Sequence, residues 1–318
     1  MEKFEIREYI PTKSGFAKGL LNAGTDNDHV ICLGTDITAS VGMDLFAEAL
    51  PERFFSIGIA EQNAAGVAAG LALMQKIPVF STYGVFSAFR AADQIRVSVC
   101  YNNLHIIIGG AHSGISVGPD GATHQALEDI ALMRSLPNMT VLSPCDATQT
   151  EKAVIAAVEH IKGPVYLRYG RDAVPDFSSP DQLFEPGKGQ ILNSGKDVCI
   201  IATGHMVWHA LQAAEILENE RIEAMVINIH TVKPLDEELI LSAADYCGAI
   251  VSCEEHQIHG GLGSAISELI VRNHPVPMEF VGVNDTFGES GQPAELMVKY
   301  GLCHQSIVKA VRKVMKRK

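Results

Sequence analysis

The segment LHIIIGGA, residues 104–111, is an almost unbroken apolar run that ends in two glycines and an alanine. Short runs of this kind, rich in β-branched residues and without polar alternation, are typical of strands covered on both faces of a parallel sheet. Four similar runs lie in the same half of the chain: HVICLGT (29–35), IPVFST (77–82), MTVLSP (139–144) and PVYLRYG (164–170). Helices are predicted between them, at about 14–24, 61–74, 87–101, 125–136 and 147–161. This alternation of strands and helices predicts an α/β fold.

The second half of the chain repeats the alternation. Its predicted strands are DVCIIATG (197–204), EAMVINIH (223–230), GAIVSCEEH (248–256) and MEFVGVN (278–284), with helices near 206–219 and from Gly261. The intervening segment RDAVPDFSSPDQLFEPGK (171–188) has three prolines and two adjacent serines, which is typical of a semi-rigid linker. We therefore predict two consecutive three-layer α/β domains with mostly parallel sheets, residues 1–172 and 189–318, joined by a linker at 173–188.

The composition narrows the class of protein. Of 318 residues, 47% are hydrophobic and 19% are charged, a balance that excludes a disordered chain. The net charge is −12 and only the tail KAVRKVMKRK (309–318), predicted as an amphipathic last helix, is basic, so nucleic acid is not an expected partner. No stretch of about 18 apolar residues and no signal-peptide core occur, so we expect no membrane partner. Seven scattered cysteines without a CxxC pair are typical of reduced thiols and a cytoplasmic protein.

Polar and unusual side chains follow the predicted strands of the first half. They occupy residues 35–40, 56–63, 82–86 and 111–124, together with Arg168 and Arg171. Because the carboxyl ends of parallel strands meet at one edge of a sheet, we expect these segments to outline a single cleft. Simpler interpretations exist. Glu61 could serve just to oppose a helix dipole, and the evenly spaced Phe80, Tyr83 and Phe86 could serve just to pack the core. No HExxH pattern occurs, and no metal site is predicted.

Three motifs, taken together, resemble the C-terminal half of transketolase. They are GIAEQNAAGVAAGLA (58–72), the aromatic set Phe80, Tyr83 and Phe86, and HSGISVGPDGATHQ (112–125). The resemblance continues through ATGHMVWHALQAAEIL and EEHQIHGGLGSAI in the second half. It implies a transketolase-like pyrimidine-binding domain followed by a transketolase C-terminal domain, with thiamine diphosphate as the cofactor.

The same resemblance implies one subunit of a split transketolase. A full transketolase also has a domain that holds the diphosphate through Mg²⁺, and no segment of this chain resembles it. The implied partner is an N-terminal transketolase subunit that supplies this domain and the Mg²⁺, so that two chains share the cofactor. A heterotetramer of two plus two chains is expected. The implied reaction, as in the pentose phosphate pathway, moves a two-carbon ketol unit from a ketose phosphate to an aldose phosphate.

The resemblance also implies roles for individual residues. Glu61 matches the catalytic glutamate that bonds to N1′ of the aminopyrimidine, and His124 matches a catalytic histidine near the reacting carbon. The implied cofactor contacts are Asp36, Glu61, Phe80, Tyr83 and Phe86. The implied substrate contacts are Ser40, His112, Asp120, His124 and Arg171. The family usually has a second phosphate-binding arginine, and Lys13 occupies the nearest matching place in this chain. Lysine keeps the positive charge but lacks the bidentate fork of an arginine.

Other functions stay open at this point. The beta subunit of a 2-oxo acid dehydrogenase shares the two-domain arrangement but usually lacks the series from His112 to His124. Deoxyxylulose-phosphate synthase has a similar DGxTH motif without the equivalent of His112. A transketolase-type enzyme for a rarer, branched sugar phosphate and a non-catalytic binding protein are the remaining alternatives. His112 favours transketolase, and the retained Glu61 favours an enzyme.

Overall fold

A computed structural model describes residues 4–318 of the chain. Its strands are β1 Glu8–Pro11, β2 Val30–Gly34, β3 Phe54–Ser56, β4 Ile77–Tyr83, β5 Ile107–Ala111, β6 Thr140–Leu142, β7 Val165–Arg168, β8 Ala173–Asp176, β9 Gln190–Asn193, β10 Val198–Ala202, β11 Ala224–Asn228, β12 Thr231–Lys233, β13 Ile250–Gln257 and β14 Met278–Val283. Its α-helices are α1 Thr12–Asp26, α2 Asp44–Ala49, α3 Glu61–Leu73, α4 Ala92–Gln94, α5 Asp129–Ser135, α6 Ala147–Glu159, α7 Met206–Asn219, α8 Glu237–Cys247, α9 Leu262–Asn273, α10 Pro293–Lys299 and α11 His304–Met315. Two π-helical turns flank α4, Phe86–Arg90 and Ile95–Cys100, and 3-10 turns occupy Pro51–Arg53 and Ile115–Asp120.

The first domain is built on a seven-stranded sheet in the order β12-β6-β7-β5-β4-β2-β3. Only β12 is antiparallel to its neighbour, and β2 and β5 are buried along their whole length. Helices α1 and α6 pack on one face. The other face is covered by α3 and by the π-helical segment, residues 86–100, which contains α4 and the two π-helical turns. Covering both faces explains why these strands lack polar alternation.

The second domain has a five-stranded sheet in the order β14-β13-β10-β11-β9, parallel except for β9. Helices α7 and α11 pack on one face, and α8 and α9 on the other. The basic tail forms the end of α11, whose residues Ile307, Val311 and Val314 are buried while its basic side chains face solvent. The prediction of two α/β domains with mostly parallel sheets is therefore confirmed.

Two short strands were not predicted from the sequence, and one of them, β12, links the two domains. Strand β8 lies within the segment interpreted as a linker, and it pairs with β1 in an antiparallel ribbon. Strand β12 follows β11 in the second half but pairs with β6 of the first sheet. Their sequences, AVPD and TVK, lack the apolar run that indicates the buried strands of the sheets.

Two further features are the state of the cysteines and the hydropathy of the helices. All seven cysteines are free and buried, as expected for reduced core thiols. Within residues 4–318, no helix is both long enough and apolar enough to cross a membrane.

Candidate active site

The residues predicted to outline a cleft lie where the strand order of the first sheet reverses, at β2. After β2 the chain forms β3 on one side and then β4 on the other, so the loops that leave β2 and β4 diverge. Asp36 and Ser40 lie on the loop after β2, Tyr83 ends β4, and His112 directly follows the neighbouring β5. Asp36 and His112 have left-handed φ values of 71° and 51°, a strained conformation that is frequent at functional sites.

Five of the predicted residues contact one another in this cleft. The rings of Tyr83 and His112 are stacked with their centroids 4.5 Å apart, and the ring of Phe86 lies 5.8 Å from that of Tyr83. His124 packs edge-on against both aromatic rings, 5.5 Å from Tyr83 and 5.3 Å from Phe86. The hydroxyl of Ser40 is hydrogen-bonded to the hydroxyl of Tyr83 at 2.9 Å.

The imidazole of His112 is held in one tautomer. Its Nε2 donates to the carbonyl oxygen of Ser40 at 3.0 Å, which leaves Nδ1 as an acceptor. Nδ1 is buried and has no hydrogen-bond partner within the described part of the chain. Burial, reinforced by the positive charges of Arg171 and Lys13, lowers the pKa of His112 to about 4. His112 is therefore neutral at physiological pH, with an unused acceptor.

Glu61 and Phe86 are joined by an arginine that was not predicted. The carboxylate of Glu61, at the start of α3, is buried and accepts a hydrogen bond from Nη1 of Arg90 at 3.2 Å. The guanidinium carbon of Arg90 lies 3.8 Å from the centroid of the Phe86 ring. A carboxylate and an aromatic face are thus within reach of one planar group.

The cations around the cleft are partly neutralised. Nη1 of Arg171 is 3.0 Å from both carboxylate oxygens of Asp120, so two predicted substrate contacts are paired with each other. Lys13, at the start of α1, donates to the carbonyl oxygen of Ala39 at 3.4 Å and therefore borders the loop that carries Ser40. Positive charge consequently faces His112 from two separate elements.

Phe80 does not lie in the cleft, contrary to the prediction. It sits in the middle of β4, fully buried, in the core cluster between the sheet and α3. Side chains alternate between the two faces of a strand, so a spacing of three residues puts Phe80 and Tyr83 on opposite faces. The spacing becomes helical only beyond β4, where Phe89 follows Phe86 on the same π-helical turn and is 46% exposed.

The described residues contain no group of three or more His, Cys, Asp or Glu that could hold a metal ion. His205 and His209 are spaced four residues apart at the start of α7, a spacing that metal-binding helices use. Nδ1 of His205 instead faces a carboxylate oxygen of Glu255 at 3.1 Å. The pair of His205 and Glu255 lies at the contact between the two domains, where Glu255 also accepts a hydrogen bond from the backbone N–H of Ser116.

Two family models match the chain: the transketolase pyrimidine binding domain over residues 8–176 and the transketolase C-terminal domain over residues 187–307. The chain belongs to the transketolase family. A putative transketolase C-terminal section from Methanocaldococcus jannaschii is 42% identical over 97% of this chain and 98% of that protein. A 6-deoxy-6-sulfo-D-fructose transketolase subunit from Clostridium sp. is 42% identical over 94% of this chain and 92% of that subunit. A solved split gene transketolase, an inactive beta4 tetramer, is 48% identical with a TM-score of 0.91, over 96% of this chain and 99% of that one.

These matches confirm the resemblance inferred from the motifs. Transketolase-family domains imply that the chain binds thiamine diphosphate. The residues present fit its aminopyrimidine half, because the guanidinium of Arg90 already contacts the ring of Phe86 while donating to Glu61. A planar ring with a hydrogen-bonding edge needs these same two contacts.

Three residues of interest were missed at the sequence level: Phe89, Arg90 and Glu255. The first two carried a signal, since they follow Phe86 at the helical spacings of three and four. Glu255 lies near the carboxyl end of β13, in the second domain, and its sequence gives no sign that it reaches the first.

Proposed function

We propose that this transketolase-family chain is a subunit of a transketolase that moves a two-carbon ketol unit from a ketose phosphate to an aldose phosphate. The observation that carries the proposal is that Arg90 contacts both the carboxylate of Glu61 and the ring of Phe86. Both His112 and His124 pack against the neighbouring ring of Tyr83. An aromatic face with a buried carboxylate suits the aminopyrimidine, and the histidines supply polar groups for a sugar.

Several residues of the cleft then have a defined task. Thiamine diphosphate, when bound, supplies the nucleophilic C2 carbon that attacks the ketose carbonyl. Glu61 holds a proton at N1′ of the aminopyrimidine, and the rings of Tyr83 and Phe86, with the exposed Phe89, pack on the cofactor and exclude water. His124, whose Nδ1 lies 2.9 Å from the hydroxyl of Thr123, exchanges protons with substrate hydroxyls through Nε2.

The charges and acceptors of the cleft suit a sugar phosphate. Lys13 and Arg171 supply positive charge for the phosphate, while Nδ1 of His112 and the carboxylate of Asp120 accept hydrogen bonds from sugar hydroxyls. We propose pentose phosphates as the first substrates to test. The similarity to a 6-deoxy-6-sulfo-D-fructose transketolase subunit supports a second candidate, a rarer sugar.

We further propose that the chain acts in the cytoplasm with a separate N-terminal transketolase subunit, in a two-plus-two assembly. That partner is proposed to hold the diphosphate and the Mg²⁺. Similarity to a split gene transketolase whose beta4 tetramer is inactive supports this division of the site.

The test is an assay of ketol transfer from xylulose 5-phosphate to ribose 5-phosphate, with thiamine diphosphate and Mg²⁺ present. The purified chain is assayed alone and with a candidate N-terminal subunit encoded beside it. Transfer only in the mixture is the expected result. Transfer by this chain alone would contradict the need for a partner, and no transfer in either sample would shift the proposal to a rarer sugar or to 2-oxo acid dehydrogenase chemistry.

The role of Glu61 has its own test. Glu61→Ala removes the carboxylate proposed to act at N1′. In the mixture of this chain with the N-terminal subunit, called the mixed enzyme, exchange of the cofactor C2 proton should therefore slow by about a hundredfold or more. The exchange is measured by quenched proton NMR, and Glu48→Ala, at an exposed carboxylate on α2, is the control. Unchanged exchange in Glu61→Ala would remove this residue from its proposed role.

A further inference from the structure

The second domain contacts the loop that carries the cleft histidines, residues 112–124. Directly after this loop, Nε2 of Gln125 donates to the carbonyl oxygen of Glu289 at 2.9 Å. Gly118, within the loop, has a φ of 77°, and a Cβ there would lie 2.9 Å from a ring carbon of Pro293. The loop therefore takes its shape partly from residues of the other domain.

The most buried of these contacts is made by Glu255, on β13. Its side chain is 2% exposed, and Oε1 accepts a hydrogen bond from the backbone N–H of Ser116 at 2.7 Å. Oε2 lies 3.1 Å from Nδ1 of His205. Gly114 has a φ of 92°, and a Cβ at this position would lie 2.2 Å from Oε1, so the loop backbone rests directly on the carboxylate.

The surroundings of Glu255 keep its carboxylate in place. Nη2 of Arg168 donates to the carbonyl oxygens of Glu255 at 2.8 Å and Ala126 at 3.1 Å, and its Nε donates to Asp129 at 2.9 Å. Burial alone would raise the pKa of Glu255, but the hydrogen bond and charge of His205, followed by the charge of Arg168, hold that pKa below its ordinary value. An ionised acceptor forms stronger hydrogen bonds to backbone N–H groups than a neutral one.

We propose that Glu255 is a positioning residue for the transferase reaction: its buried carboxylate fixes the Ser116 N–H and thereby sets the shape of the loop that carries His112, Asp120 and His124. This inference rests on the proposed function, because the substrate contacts of the loop are those proposed above. It gives the second domain a role in the site of the first. Glu255 acts through the loop backbone.

Glu254 provides a matched control on the same strand. It is also 2% exposed, and its carboxylate accepts hydrogen bonds from the backbone N–H groups of Leu262 at 2.7 Å and Gly263 at 2.9 Å, at the start of α9. Adjacent residues of a strand face opposite sides of the sheet. Removing either carboxylate leaves buried N–H groups without an acceptor, but only Glu255 contacts the loop.

The first readout is hydrogen–deuterium exchange of the peptide that covers residues 112–125 in the full chain. Glu255→Ala should raise exchange at Ser116, whereas Glu255→Gln, whose amide oxygen can still accept, should keep most of the protection. Glu254→Ala should leave this peptide protected and raise exchange at the start of α9. If Glu255→Ala does not fold, Glu255→Asp, which keeps the charge but shortens the reach, replaces it. Unchanged protection of the loop in the folded variant overturns the proposal.

The second readout separates positioning from general stability. In the mixed enzyme, Glu255→Ala should lower kcat/KM for the sugar phosphate by about tenfold to a hundredfold, while the Kd of thiamine diphosphate changes by less than about twofold. Glu255→Gln should recover most of the loss. Equal losses in Glu255→Ala and Glu254→Ala would overturn the positioning role. Absence of transfer in the wild-type mixture, with loop exchange as expected, would instead reject the proposed function and leave the contact between Glu255 and the loop established.

Discussion

Arg90 contacts the two groups that are proposed to receive the cofactor. Its guanidinium donates to Glu61 and lies over the ring of Phe86, so Arg90 and the aminopyrimidine compete for the same carboxylate and the same aromatic face. Half of the Arg90 side chain is exposed, which leaves it room to turn toward solvent. Ion pairs and cation–π contacts at exposed positions are weak, so this competition is modest in free energy.

We therefore expect Arg90→Ala to bind thiamine diphosphate more tightly in the mixed enzyme. Loss of a competing contact worth about 1 kcal/mol corresponds to about a fivefold lower Kd. The Kd is measured by isothermal titration calorimetry, with Arg96→Ala, at an exposed arginine of the second π-helical turn, as the control. A higher Kd in Arg90→Ala would mean that Arg90 helps to hold the cofactor.

At the scale of single residues, most of the cleft could be predicted from the sequence. Tyr83 ends a strand and Asp36 and His112 follow strand ends, and the strand ends of a parallel sheet meet at one edge. Phe80 was wrongly placed because an even spacing of three means one face in a helix but opposite faces in a strand. Glu255 could not be predicted, because its bond to Ser116 joins residues 139 positions apart and leaves no local pattern.

At the scale of elements, the contact between α1 and α6 depends on glycine. A Cβ at Gly15 would lie 1.9 Å from the carbonyl oxygen of Ala147, and one at Gly19 would lie 2.6 Å from that of Glu151. The two helix backbones therefore approach too closely for any side chain at these positions. This contact also fixes the start of α1, where Lys13 borders the cleft.

Gly15→Ala should consequently destabilise the chain. Overpacking against a backbone atom should lower the free energy of unfolding by about 2–3 kcal/mol, despite the better helix propensity of alanine. Gly66→Ala on α3 is the matched control, because a Cβ there meets nothing within 4 Å, and it should raise stability by about 0.5–1 kcal/mol. Urea unfolding of the chain alone measures both, and equal effects would contradict the close approach of α1 and α6.

The order of the longer elements was predictable, and the links between the domains were not. Long apolar strands and helices carry a clear period, so their alternation indicates the architecture. Strand β12 pairs with the first sheet only because the folded second domain places it beside β6. A three-residue segment is stabilised there by tertiary pairing that its own sequence does not encode.

At the scale of the whole molecule, two buried histidines and a half-buried one make the fold sensitive to acid. Burial is the main cause that lowers the pKa of His112, His209 and His230 to about 4 in each case. Between that value and the ordinary value near 6.5, the unfolded chain binds protons that the folded chain does not. The free energy of unfolding therefore falls as the pH drops from about 6.5 to about 4.

The measurement is urea unfolding at pH 7.5 and pH 5. Each histidine should contribute a loss of about 2 kcal/mol at the lower pH, so His230→Gln should show a loss smaller than wild type by about that amount. His160→Gln, at an exposed histidine, should lose as much as wild type. Equal losses in wild type and His230→Gln would contradict the lowered pKa of His230.

The first domain also exposes large apolar side chains on or directly beside α3 and the two π-helical turns. These elements pack against each other beside Glu61 and Arg90, and the exposed residues are Ile59, Leu73, Met74, Phe89, Val97 and Tyr101. An apolar surface of this kind next to a cofactor cleft is typical of a face covered by another chain. It is the face on which the proposed N-terminal subunit is expected to sit, because that subunit must reach the cofactor.

Leu73→Asp should therefore prevent assembly with the N-terminal subunit. Leu73 is 72% exposed in the single chain, so a charge there costs little in folding free energy. Burying that charge at an interface costs several kcal/mol and should weaken assembly by about a hundredfold or more. Val271→Asp, on α9 of the second domain and 71% exposed, is the matched control and should assemble and transfer normally. Native mass spectrometry of the mixtures measures assembly, with two plus two chains expected for wild type. A Leu73→Asp chain that still forms this assembly would place the partner on another face, since an aspartate cannot be buried there without a partner charge.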